Sequence, residues 1–165
     1  MTSPVPAGPV ILNNTPLVAL WVLDRFELLR DLFGAIVIPS AVHMEFLATE
    51  MENRLPKLAN SPWIEIESVQ SQRTVRTFVG LDQGEAEVLA LAIERSARLV
   101  VIDERRGRRF AERLNIPLTG TLGLLLLAKE RALLTEIAPE IARLQRNGLY
   151  LSPALVNRAL SMANE

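Results

Sequence analysis

Residues 82–119, DQGEAEVLALAIERSARLVVIDERRGRRFAERLNIPLT, read as helix, strand, acid, helix and short strand in succession. Asp82-Gln-Gly-Glu85 opens an Ala- and Leu-rich helix that continues to about Ala97, and the three-residue step from Asp82 to Glu85 is that of a capping box. Leu99 to Ile102 is an unbroken apolar, β-branched run, the form taken by a strand buried on both faces. Asp103 interrupts it, a helix runs from Glu104 to Leu114, and Pro117-Leu-Thr119 reads as another short strand. Helices alternating with buried strands define a parallel sheet clothed by helices.

The alternation holds upstream. Pro9-Val-Ile-Leu12 is a strand ending in Asn13-Asn14, and Thr15 reads as the N-cap of a helix with Pro16 at its first position. A second helix, Arg25 to Phe33, puts Phe26, Leu29, Leu32 and Phe33 on one face, Gly34 stops it, and Ala35-Ile-Val-Ile38 is the next strand. A helix from Pro39 or Ser40 to Glu50 or beyond follows. Asn53 to Pro62 reads as a looser segment, Trp63-Ile-Glu-Ile-Glu67 as a half-exposed edge strand, and Ser68 to Val79 as a polar connector. Downstream, helices are expected over Thr121 to Arg131, Thr135 to Arg146 and Ser152 to Asn164. The expectation is one domain over 1–165, with a flexible lead-in over 1–8 and a C-terminal helical extension over 132–165.

Composition narrows the chemistry. The chain has 165 residues, 49% of them hydrophobic and 22% charged, which is ample for one packed core. It has no cysteine and one histidine, His43, so thiolate chemistry and multi-histidine metal centres are excluded. A net charge of -1 argues against holding nucleic acid by bulk electrostatics, though not against a local basic patch. The N-terminal stretch has no basic n-region or apolar h-region, and the longest apolar run, Leu122 to Ala128, falls far short of a bilayer span. A cytoplasmic protein without membrane attachment is expected.

In an open parallel sheet, ligands bind beyond the carboxyl ends of the strands, so polar residues there are informative. Asn13 and Asp103 hold such positions, each with a plain structural alternative: turn formation for Asn13 and a helix N-cap for Asp103. Glu45 lies in the helix after the second strand. Glu85 has the capping-box role as its alternative, and Glu87 faces roughly the opposite side of that helix. His43 and Glu45 are two apart and share no helix face.

Together these residues resemble a known family. Asn14-Thr-Pro-Leu-Val-Ala-Leu after the first strand, a Glu in the helix after Ile38-Pro-Ser, Leu81 to Glu87, Ile102 to Arg106 and Gly120 to Lys129 look like PIN domains across nearly the whole chain. The match is closest to small prokaryotic PIN-like proteins, many of which look like toxins of the VapC type. The resemblance implies an α/β, three-layer fold with a central, mostly parallel sheet, and an acidic cluster that binds Mg²⁺ or Mn²⁺ to hydrolyse RNA phosphodiester bonds. It places the family's acids at Asn13, Glu45, Glu85 and Asp103, with Glu85 preferred over Glu87 because eighteen residues separate it from Asp103. Asn13 departs from the family's usual Asp and takes the site from four formal negative charges to three. The implied alternative is a weakened or inactive PIN fold that binds RNA or protein. Thr15 is expected to hydrogen-bond the scissile phosphate.

Arg105, Arg106, Arg108 and Arg109 follow Asp103 directly, with Arg113 one turn on; Arg105, Arg106 and Arg109 are the expected RNA contacts. Four arginines over five residues cannot share one helix face, so some are left for an acidic partner such as an antitoxin tail. Trp21, Trp63 and Tyr150 are too scattered to suggest a base-stacking platform. The apolar content leads us to expect a homodimer.

Overall fold

A computed structural model describes residues 7–165; the lead-in expected over 1–8 lies, as far as residue 6, outside them. Five strands form one sheet in the order β3-β2-β1-β4-β5, and every pairing is parallel. They are β1 (Val10–Leu12), β2 (Ile36–Pro39), β3 (Ile64–Glu67), β4 (Leu99–Val101) and β5 (Leu118–Thr119). β1 and β2 are buried along their whole length, so both faces of the sheet centre are covered, as their unbroken apolar sequences require.

Ten helices flank the sheet among the described residues: α1 (Asn14–Val22), α2 (Glu27–Phe33), α3 (Ser40–Leu47), α4 (Met51–Ala59), α5 (Gln72–Arg76), α6 (Gln83–Arg95), α7 (Arg105–Arg113), α8 (Thr121–Glu130), α9 (Ala138–Arg146) and α10 (Pro153–Met162). The first two join β1 to β2, with Gly34 at φ +81° closing α2. α6 is the central support. It packs on β2, β1 and β4 and against α3, α5 and α7, and Val88, Leu89 and Leu91 are almost fully buried.

Sequence and structure differ locally between Ser40 and Val79. The helix expected from Ser40 through Glu50 ends at Leu47, because Glu50 takes a left-handed conformation at φ +51°. The segment read as loose then forms α4 despite Pro56, held by Arg54, whose guanidinium is buried over Trp21 and Phe46 and donates to the Phe46 carbonyl at 2.8 Å. The polar connector contains the short helix α5, whose Ser71 side chain accepts from Thr74 N.

The chain leaves β1 towards β2 on one side, and β4 returns on the other. β1 and β4 therefore border the switch point of the sheet, where the crevice of an open α/β fold lies.

Candidate active site

Asn13 continues the β1–β4 ladder by donating its backbone N–H to Val101 O at 3.0 Å, which fixes it at the carboxyl edge of the sheet. Asn13 is also the N-cap of α1, the position the sequence suggested for Thr15. Both side chains instead meet Glu104, the N-cap residue of α7. Asn13 Nδ2 donates to Glu104 Oε2 at 3.1 Å, and the Thr15 hydroxyl donates to Glu104 Oε1 at 2.8 Å.

α3 packs on α6 and carries Glu45 to the same place. The contact converges on the first turn of α6, where Gly84 leaves the backbone bare. A β-carbon there would stand 3.0 Å from Glu45 Oε2 and 3.4 Å from Asn13 Oδ1. Asn13 Oδ1 is buried and has no hydrogen-bond partner. An orphaned acceptor of this kind needs a cation or a donor to offset its desolvation.

Glu85 lies one residue further along the turn and completes the capping box: Glu85 N donates to Asp82 Oδ1 at 2.8 Å, and Asp82 N to Glu85 Oε2 at 3.3 Å. The structural and chemical roles suggested by the sequence are thus compatible. Burial, followed by the charges of Asp82, Glu104 and Glu45, pushes the Glu85 carboxyl up to about 7. The Glu45 carboxyl is raised by burial and then by Asp82 and Glu104. The charges of Asp82 and Glu104 therefore act on both Glu45 and Glu85 around Asn13.

Asp103 faces elsewhere. Its Oδ1 accepts from Thr121 N at 2.9 Å and its Oδ2 from the Thr121 hydroxyl at 2.6 Å, which ties the end of β4 to the start of α8. Burial raises its pKa, the Thr121 bonds oppose the rise, and it is absent from the charges that perturb Glu45 or Glu85. The structure thus gathers Asn13, Glu45 and Glu85 and sets Glu104, where the sequence analysis had Asp103, beside them. Successive residues of an extended segment project to opposite sides, so one register step separates the two acids. The available signal was Glu104's position at the head of the Arg-rich helix.

Glu87 accepts from Ala41 N at 3.2 Å and from Gln83 Nε2 at 2.7 Å, serving the N-terminal end of α3. Among the arginines, Arg106 donates to Gly80 O at 3.4 Å and Arg108 turns inward to Ile102 O at 2.8 Å. Arg105 and Arg109 border a shallow depression with Glu112 and Leu155. Among the described residues none of these four arginines forms an ion pair.

No three His, Asp or Glu groups among the described residues are drawn together into a ready-made metal cage. The donor set nevertheless fits a hard divalent ion. It consists of oxygens alone, one of them a buried orphan, and the carboxyls of Glu45 and Glu85 are raised by burial and by neighbouring carboxylates with no counter-charge between them. Asn13, Glu45, Glu85 and Glu104 are the residues that could hold such an ion.

These features define an α/β protein with an acid-lined crevice at the switch point of a parallel sheet. A family model described as a PIN domain matches residues 9–165, and the chain belongs to the PIN-domain family. The PIN domain is a nuclease-type fold whose members are commonly metal-dependent ribonucleases that bind RNA. No curated protein matches the chain. No helix among the described residues is long and apolar enough to cross a membrane.

Proposed function

We propose that this protein is a divalent-metal-dependent endoribonuclease working at the crevice between β1 and β4. The observation that carries the reading is the buried, unpartnered Asn13 Oδ1 beside Glu45 Oε2 over the bare backbone of Gly84. Asn13, Glu45, Glu85 and Glu104 are the inner set. Asp103 braces the start of α8 through Thr121, a change from the ligand role that the family resemblance implied for it.

A bound Mg²⁺ or Mn²⁺ would supply charge neutralisation and Lewis-acid polarisation of a phosphate oxygen. The protein's own groups do the remaining work. Asn13 and Thr15 hold the Glu104 carboxylate in one orientation with two hydrogen bonds, which leaves the Thr15 hydroxyl committed to Glu104 rather than to phosphate. In the metal-free chain the Glu85 carboxyl is raised to about 7, the furthest of the inner carboxyls towards neutrality, and we assign it the proton exchange with water. Arg105, Arg106 and Arg109 supply positive charge along the approach of an RNA backbone.

Within this reading the chain is one PIN-like unit over 1–165 and the toxin of a VapC-like pair. It works in the cytoplasm as a homodimer and is held in check by a small antitoxin. The test is cleavage of single-stranded RNA with Mn²⁺, with Mg²⁺ and with EDTA. Metal-dependent cleavage is expected, reduced by at least about 100-fold in Glu45→Gln and Glu104→Gln, the upper end for disrupted metal-site partners. Asn13→Asp should tighten Mn²⁺ binding in a calorimetric titration.

The competing reading, a PIN fold retained for binding alone, draws on the neutral Asn13 amide and the lack of a ready-made cage. It expects no Mn²⁺ binding at millimolar concentration and no cleavage by either the wild type or Asn13→Asp, an outcome that would replace the nuclease reading. Growth arrest on induction, relieved by a co-expressed small protein, tests the toxin role separately.

A further inference from the structure

A cavity of about 480 Å³ opens beside the acid crevice, between the start of α8 and α10. Leu122, Leu126, Leu151 and Leu155 supply apolar wall, while Asp103, Arg108 and Arg158 are its charged lining. Thr15, which holds Glu104, also lines it, so cavity and crevice share a wall. At the rim stands Tyr150, 84% exposed. The two tryptophans are employed elsewhere, Trp21 under Arg54 and Trp63 under Arg30.

We infer that this cavity takes the unstacked base of a single-stranded RNA nucleotide adjacent to the bond held at the acid crevice, with Tyr150 as its stacking partner. The inference deepens the nuclease reading and rests on it for the course of the strand. An unstacked base needs an aromatic face, and Tyr150 presents one without buried contacts to hold it back. Its phosphates need positive charge, which Arg108 and Arg158 provide in the lining and Arg105 and Arg109 beyond Leu155.

Asp103 is the one carboxylate of the lining. Thr121 takes one acceptor site on each of its oxygens, and a carboxylate offers about four, so two remain for neighbouring N–H donors. The Watson–Crick edge of guanine carries such a pair, whereas uracil offers one donor between two acceptors. An apolar helix from a protein partner would fill the same walls but leave the open acceptor sites of this carboxylate and the Arg158 guanidinium without partners, which is costly.

The test measures anisotropy of labelled single-stranded RNA hexamers with the full chain in EDTA, where cutting is suspended. A hexauridine carrying one guanosine is expected to bind more tightly than hexauridine. Tyr150→Ala should weaken the guanosine-bearing hexamer by about 5- to 100-fold, the range for one lost stacking partner, and Tyr150→Phe should restore it. Asp103→Asn should erase the preference for guanosine. Hexamer affinities indifferent to Tyr150→Ala would overturn the inference, as would a Tyr150→Ala change confined to sedimentation of the protein with itself or a protein partner. The two readings separate cleanly: Tyr150-dependent binding without metal-dependent cleavage keeps the cavity and removes the nuclease. Cleavage with unchanged affinity and cut-site choice in Tyr150→Ala does the reverse.

Discussion

Asp103 and Glu104 are neighbours in sequence but serve opposite sides of one turn, the first bracing α8 and the second joining Asn13 and Thr15. Glu85 shows what the resulting crowding does to a single group. Its folded-state pKa of about 7 lies above the ordinary 4.5, so between those values the folded chain keeps a proton that the unfolded chain has lost. Stability must therefore fall as pH rises through that window, with the penalty complete above about 7; Glu45 and Asp103 are shifted in the same sense. Denaturant titrations of the metal-free protein should give greater stability at about pH 5 than at about pH 8, and Glu85→Gln should flatten the slope. A slope of opposite sign, or one unchanged by the variant, would remove Glu85 from the cluster.

At the scale of an element, the start of α6 joins stability and chemistry in one turn. The Asp82–Glu85 capping box fixes where the helix begins, and Gly84 between them gives the oxygens of Glu45 and Asn13 room to approach. Gly84→Ala sets two effects against each other. Ala is favoured over Gly by up to about 1 kcal/mol in a helix, less in this first turn, while its β-carbon would press on Glu45 Oε2 at 3.0 Å. The expected result is a folding free energy within about 1 kcal/mol of wild type, with Mn²⁺ affinity lowered by roughly 10-fold, as when a metal-site partner is displaced. Chemical denaturation and calorimetry on the same samples separate the two; unchanged Mn²⁺ affinity would count against a metal site over this turn.

Across the whole molecule, the last two helices are tied back by one side chain. The Glu165 carboxylate accepts from Ile137 N and Ala138 N at the head of α9 and from Lys129 Nζ of α8, and Lys129 also donates to Ala163 O. These bonds hold its pKa down at about 2, below the ordinary 4.5. The stabilisation is present above 4.5 and is lost as pH falls through that interval. In Glu165→Gln, hydrogen exchange at Ile137, Ala138 and along α10 should accelerate at neutral pH, with the difference from wild type narrowing below about pH 4. Equal exchange in the two proteins at neutral pH would show that apolar packing alone seats α10.

The alternation of buried strand and helix, the capping box at Asp82 and the stop at Gly34 were legible in the sequence because each is set by a local period or by one residue's backbone preference. Asn13's place beyond a strand end followed from the same periods, whereas Glu45 and Glu85 stood out as site candidates only through the resemblance of the whole pattern to PIN domains. The tertiary structure alone decided that α4 forms around the buried Arg54, because its guanidinium donates to the Phe46 carbonyl and stacks on Trp21, both on other helices. It also set Glu104 rather than Asp103 against Asn13 and Thr15, and placed Tyr150 on the wall of the neighbouring cavity. A turn can aim either of two adjacent acids at a site, and only the partners brought by distant segments, Asn13 and Thr15 on one side and Thr121 on the other, fix which one arrives.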